Sequence, residues 1–193
     1  MSPLPDDHVA ATTAILLAGG QGSRMNHQDK AWLAYQGKPL ILHVLDRIKD
    51  TVQEIIISTN RTGPEYDNLP YPCIADNHPG FPGPLEGISS CIPEIRTPFT
   101  LVIPCDVPHL PVSLNRNLFD NIGDSDICVA SDGERVQPLI FLARTCCLQD
   151  IRTYLDAGNR SVRGWLDGRN IAVAVFAGET GTFENINRPD QLR

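Results

Sequence analysis

An apolar run that stops abruptly in glycines constrains this chain more than any other stretch: Ile15-Leu16-Leu17-Ala18-Gly19-Gly20-Gln21-Gly22-Ser23-Arg24-Met25, with Asp29-Lys30 just beyond. Glycine removes the Cβ that would hold a ligand away from the backbone, and it tolerates positive φ. The exposed N–H groups of such a bend can face an anion, and Arg24 and Lys30 add full positive charge. Two known glycine patterns fail here. No lysine directly follows a glycine at P-loop spacing, and Gly20-Gln21-Gly22-Ser23-Arg24-Met25 lacks the third glycine of the dinucleotide fingerprint. The stretch therefore reads either as a phosphate cradle of another kind or as a plain turn.

The rest of the chain alternates apolar runs with amphipathic ones. Strands are expected at Thr13–Leu17, Glu54–Ser58, Tyr71–Ala75, Phe99–Pro104, Ile127–Ala130, Pro138–Ala143 and Ile171–Phe176. Helices are expected from Leu40 to Ile48, from Leu85 to about Ile92, and over Val112–Ile122, Cys147–Ala157 and Ser161–Leu166. In the first half strands alternate with helices. That predicts a three-layer α/β fold with a mostly parallel sheet, and the less regular second half predicts an antiparallel edge. The 193 residues suit one domain, residues 13–193, after a loose leader over residues 1–12.

Composition sets the compartment and the class of ligand. The leader holds Asp6 and Asp7 and no Lys or Arg, so it does not read as a signal peptide, and no apolar stretch is long enough to span a bilayer. Six cysteines without a C-x-x-C pattern read as reduced thiols in the cytoplasm. A net charge of −7 argues against a general nucleic-acid binder. It fits a small anionic ligand held where the cations gather, and equally fits simple solubility.

Parallel strands place their C-terminal ends on one edge, where ligands of open α/β sheets bind. The first strand ends in the glycine bend, the second in Asn60, the third in Asp76 and the fourth in Asp106. Asp106, between Leu-Val-Ile-Pro-Cys and Val-Pro, is well placed to hold Mg²⁺ against phosphate oxygens, or else serves as a turn aspartate. Asn60 could meet a base edge and Asp76 ribose hydroxyls, or both could be turn residues. His109 reads as a loop residue or a second metal ligand.

The series of motifs is specific. The glycine stretch, Asp29-Lys30, Gly37-Lys38-Pro39-Leu40, Gly83-Pro84-Leu85-Glu86-Gly87, Cys105-Asp106-Val107-Pro108, Gln137-Pro138 and Phe183-Glu184-Asn185-Ile186-Asn187-Arg188-Pro189 occur in that order. From about Ile15 to Leu192 the chain resembles the molybdenum cofactor guanylyltransferases. The resemblance implies a Rossmann-like nucleotidyltransferase fold, with a nucleotide-binding half over about 13–110 and an acceptor-binding half over about 111–193. It implies an Mg²⁺-dependent transfer of GMP from GTP to the phosphate of molybdopterin or Mo-molybdopterin, with release of pyrophosphate. Transient contacts with molybdenum-insertion proteins and molybdoenzyme chaperones are implied as well.

Carried onto this chain, Leu17, Ala18, Gly19, Gly20 and Lys30 hold the nucleotide and its phosphates. The resemblance implies that Asn60 and Asp76 would hold base and ribose, that Asp106 would hold the metal, and that Arg24, Lys30 and Asp106 would act in catalysis. Gln137, Asn185 and Asn187 face the acceptor. Two departures stand out: Asn26-His27 where the family usually carries glycines, and Glu86, an extra carboxylate that either faces solvent or repels substrate. The rival expectations are a related cytidylyltransferase or sugar-phosphate nucleotidyltransferase, and a non-catalytic nucleotide-binding docking module.

Overall fold

The computed structural model describes residues 7–19, 29–78, 83–176 and 181–186. The first strand, β1 (Thr12–Leu17), is buried along its whole length. A small hairpin of β2 (Ala34–Tyr35) and β3 (Lys38–Pro39) turns through Gln36 and Gly37, both at positive φ (49° and 79°). That is the chirality a two-residue turn needs to match strand twist, and glycine supplies it without strain. The sequence showed only punctuation there, because two-residue strands have no readable period.

Helix α1 (Leu40–Ile48) follows, then β4 (Glu54–Ser58), the short α2 (Pro64–Asp67) and β5 (Cys73–Ile74). Next come α3 (Pro84–Cys91), β6 (Phe99–Pro104), α4 (Leu114–Ile122), β7 (Ile127–Ser131) and β8 (Val136–Arg144). Helices α5 (Ile151–Asp156) and α6 (Val162–Leu166) and strand β9 (Ile171–Val175) complete the described elements.

Seven strands form one sheet in the order β5-β4-β1-β6-β8-β7-β9. Only β8 runs antiparallel, and it lies between β6 and β7. The expected antiparallel edge is thus corrected to an antiparallel strand inside the sheet, with the parallel β9 at the rim. The short loop after β7 forces β8 to return antiparallel beside it, and β8 also pairs with β6. Alternation along the strands divides the core in two. Ala14, Leu16, Ile55, Ile57, Leu101 and Ile103 face α1 and α4. Ile15, Leu17, Ile56 and Val102 face α3, α5 and α6. This is the three-layer arrangement, with both faces of the sheet covered.

The segment read as a loose leader is tied down where it is described. Val9 N donates to Asp7 Oδ1 at 2.9 Å, Thr12 Oγ1 donates to the His8 carbonyl at 2.7 Å, and the His8 ring packs on Phe119. Helix α4 begins at Leu114 rather than Val112. The expected helix at 147–157 is a 3₁₀ stretch, Thr145–Asp150, that leads into α5. No helix among the described residues is long and apolar enough to cross a membrane.

Candidate functional site

Register decides whether the polar strand ends converge. Leu17 pairs with Ser58 on one side and Pro104 on the other. The ladder continues one step further: Ala18 N donates to the Ser58 carbonyl at 2.9 Å and Cys105 N to the Leu17 carbonyl at 3.0 Å. The start of the glycine bend therefore lies level with Thr59-Asn60 and Cys105-Asp106 on one rim. Leu17 and Ala18 are buried and Gly19 is exposed. Gly20, Arg24, Asn26, His27 and Asn187 lie outside the described residues.

Lys30 crosses to Asp106, with Nζ 2.5 Å from Oδ2 and side chains 24% and 14% exposed. The other carboxylate oxygen, Oδ1, is buried and has no donor within reach among the described residues. A buried carboxylate oxygen without a partner is uncommon and costly, which marks it as a place for a ligand. Among the described residues no three His, Cys, Asp or Glu side chains cluster as a metal cage. Mg²⁺ needs no such cage, since one or two carboxylates with phosphate and water complete its shell. The donor set fits.

Asp29 aims Lys30. Its Oδ1 accepts from Ala31 N at 3.0 Å and caps the 3₁₀ turn Lys30–Trp32, while Oδ2 accepts from the Tyr66 hydroxyl at 2.7 Å. Burial, and then the Asp29 carboxylate, push the Tyr66 phenol well above its ordinary value. Tyr66 lies on α2, 37 positions away, and packs edge-on against Trp32. No local pattern in the sequence announces it.

Asn60 and Asp76 form a reciprocal pair, with Asn60 Nδ2 donating to Asp76 Oδ2 at 2.7 Å and Asp76 N to Asn60 Oδ1 at 2.8 Å. The pair sits at the tips of β4 and β5, with the β1 tip between it and Asp106. At roughly 4.8 Å per strand, β4 and β6 are about 10 Å apart. A nucleoside at one pair and phosphates at the other would span the β1 bend.

The residues expected to face an acceptor make fewer contacts. Gln137, the second residue of β8, donates to Asp132 Oδ2 at 3.2 Å, and no hydrogen bond among the described residues joins it to Asp106. Asn185 is exposed and precedes Ile186, whose N–H donates to the Asp106 carbonyl at 2.9 Å. Residues 181–186 are thus pinned behind Asp106, with Ile186 buried against Tyr35 and Leu40. His109 is exposed and bonded through Nε2 to the Tyr35 hydroxyl at 2.8 Å.

Glu86 meets neither expectation. It does not face solvent, being 1% exposed, and its charge is matched. Arg152 Nη1 donates to Oε2 at 2.9 Å, and Oε1 lies 3.0 Å from His78 Nδ1. Its neighbour Gly87 lets α3 lie close on the sheet, since a Cβ there would stand 2.3 Å from Ser58 Oγ.

Comparison with known proteins places this architecture. Residues 14–173 match the family described as the MobA-like NTP transferase domain. The chain is 37% identical over 180 residues to a molybdenum cofactor guanylyltransferase of Shewanella sediminis (strain HAW-EB3), covering 92% of each. Its fold is similar to the crystal structure of molybdopterin-guanine dinucleotide biosynthesis protein A from Archaeoglobus fulgidus (TM-score 0.76, 21% identity, 93% of this chain and 94% of that one). It is similar also to 2-C-methyl-D-erythritol 4-phosphate cytidylyltransferase from Thermus thermophilus (TM-score 0.68, 17% identity, 92% and 94%). At those identities the two structures speak for the fold alone.

Proposed function

The chain belongs to the MobA-like NTP transferase family, and from that premise we propose that it transfers GMP from GTP to the phosphate of molybdopterin or Mo-molybdopterin, releasing pyrophosphate. The observation that carries the reading is the Lys30–Asp106 pair at the rim where β1 ends, with one buried carboxylate oxygen left without a donor among the described residues. The choice of guanine and of a molybdopterin acceptor is supported by the named relatives at 37–38% identity.

The reaction forms a bond from an acceptor phosphate oxygen to the α-phosphorus of GTP and breaks the bond from that phosphorus to the bridging oxygen of the leaving pyrophosphate. No side chain needs to become covalently attached. Positioning and charge neutralisation do the work. Asn60 and Asp76 would take the nucleoside at the β4 and β5 tips. Gly19, Gly20, Arg24 and Lys30 would take the phosphates over β1. Gln137, Asn185 and Asn187 would take the acceptor on the far side of Asp106.

Lys30 is held at the carboxylate by Asp29 and Tyr66, ready to neutralise phosphate charge as it builds. Mg²⁺ would be held by Asp106 and would supply further neutralisation of the phosphate oxygens. The six free cysteines support work in the reducing cytoplasm.

Pyrophosphate release measured with GTP, CTP, UTP and ATP, with and without molybdopterin, tests the reading. Release that requires both GTP and molybdopterin is expected. A preference for CTP would move the chain to the cytidylyltransferases, and nucleotide binding without any release would make it a docking module.

A further inference from the structure

The segment after β5 carries Asp76, yet the strand itself ends at Ile74. Beyond Thr59 N, which donates to the Ile74 carbonyl at 2.9 Å, side chains take over from the ladder. Asp76 N donates to Asn60 Oδ1 at 2.8 Å, Asn77 N to Ser90 Oγ at 2.9 Å, and His78 N to Glu86 Oε1 at 3.2 Å. Three consecutive backbone N–H groups are thus held by three side chains, two of them on α3. Ser90 Oγ in turn donates to Glu86 Oε1 at 3.4 Å. Glu86 is therefore the common anchor for the two residues that follow Asp76.

A carboxylate that is 1% exposed needs compensating charge. Arg152 provides it from α5, 66 positions later in the chain, and also pairs with Asp156 on its own helix at 2.9 Å. His78 closes the triangle, with Nδ1 3.0 Å from Glu86 Oε1 and 2.9 Å from Arg152 Nη1. A buried ion pair is poor evidence for stability, because well-packed apolar residues often serve as well or better. What apolar residues cannot do is accept the N–H of His78.

We propose that Glu86, charged and held by Arg152, is a positioning residue that fixes the 76–78 segment and so sets the affinity of Asp76 for the nucleoside end of the nucleotide. The proposal rests on the nucleotide-binding reading above. It makes α5, in the half of the chain assigned to the acceptor, a determinant of nucleotide affinity.

The experiment separates positioning from bulk stability. Nucleotide KM, kcat and Tm are measured for wild type, Glu86→Gln, Arg152→Lys and the apolar pair Glu86→Met/Arg152→Met. Glu86→Gln is expected to raise the KM for GTP about tenfold with kcat within about twofold, since the displaced group binds the nucleoside and not the reacting phosphate. Arg152→Lys, which keeps the charge opposite Glu86, retains most of the wild-type affinity. The apolar pair brings Tm back to the wild-type value and leaves KM raised.

In an Asp76→Ala background, Glu86→Gln has no further effect on KM, whereas with Lys30→Ala the two changes add. An unchanged KM in Glu86→Gln, a KM that recovers along with Tm in the apolar pair, or full additivity with Asp76→Ala overturns the proposal. A wild type that uses CTP and not GTP overturns the guanylyltransferase reading alone, and the same split in the KM for CTP then upholds the positioning role. Binding of none of the four nucleotides overturns both.

Discussion

Two carboxylates flank the same rim of the sheet, and they are furnished in opposite ways. Asp106 has one oxygen on Lys30 and the other buried without a donor among the described residues. Glu86 has both oxygens engaged, by Arg152, His78 and Ser90. The first arrangement stores an unmet demand that a cation or a phosphate-bound metal can satisfy. The second leaves no demand, so its carboxylate is free to serve geometry. An acidic side chain near a phosphate site is therefore not repulsive by position alone; the sum of its donors decides.

Asp106→Ala breaks the comparison most severely. Turnover is expected to fall about 10²–10³-fold, the scale seen when one electrostatic group is taken from a reacting centre. Tm should hold or rise slightly, because the unsatisfied oxygen goes too. Pyrophosphate release and circular dichroism melts check both. Full activity in this variant sinks the metal assignment. Lys30→Ala comes next, with kcat/KM down about 10²-fold and both binding and rate affected. Unchanged kinetics would remove Lys30 from the site. Neither variant should alter the exchange of the Asn77 and His78 amides with solvent deuterium, which report the Glu86 region.

The difference between the two carboxylates also explains what the sequence could show. Asp106 was legible because a strand tip is a local signal: an apolar run, then a polar residue, on an edge that parallel topology defines. The same logic brought Asn60, Asp76, Lys30 and the Leu17–Gly19 bend onto one rim, and it placed nearly every long strand and helix. Partners were not legible. Tyr66 meets Asp29 across 37 positions, and Arg152 meets Glu86 across 66. Neither pair shares a period or a motif, so packing alone creates them.

The position of β8 was hidden for a related reason. A hairpin signal after β7 says that β8 is its neighbour, but not that β6 lies on β8's other side. The β2–β3 hairpin, with two residues per strand, had no alternation to read.

Gly87 links the two regions, since α3 carries Glu86 and rests on Ser58 at the end of β4. Gly87→Ala is expected to destabilise the chain by about 1–3 kcal/mol, the usual cost of overpacking. The new Cβ would stand 2.3 Å from Ser58 Oγ but 3.5 Å from Ser58 Cβ. Ser58→Ala in the same chain should therefore recover most of the loss, measured by urea unfolding. If the double variant is as unstable as the sum of the singles, the close approach is not what requires glycine. Because α3 would shift, GTP affinity should fall while Asp106-dependent turnover at saturation holds.

The effect that is smallest near neutral pH lies in alkali, where each region carries a buried acid kept neutral. Burial pushes the Cys91 thiol, at the end of α3, up to about 12 from an ordinary 9.0. Burial and Asp29 likewise raise the Tyr66 phenol above its ordinary 10.0. For each group the unfolded chain releases its proton first, so the native state binds more protons in the interval between the two values. Stability is fully present below the unfolded value and falls as pH rises toward the folded one, by about 1.4 kcal/mol per pH unit for each group. Unfolding free energy should decline from near pH 9 in the wild type. Cys91→Ala should make that slope shallower from pH 9 upward by one proton equivalent, and Tyr66→Phe only from pH 10. The two part company in the assay. Cys91→Ala leaves turnover intact, whereas Tyr66→Phe frees Asp29 and lowers kcat/KM several-fold through a misaimed Lys30. Equal effects on turnover would mean that the Tyr66 hydroxyl holds the fold rather than the site.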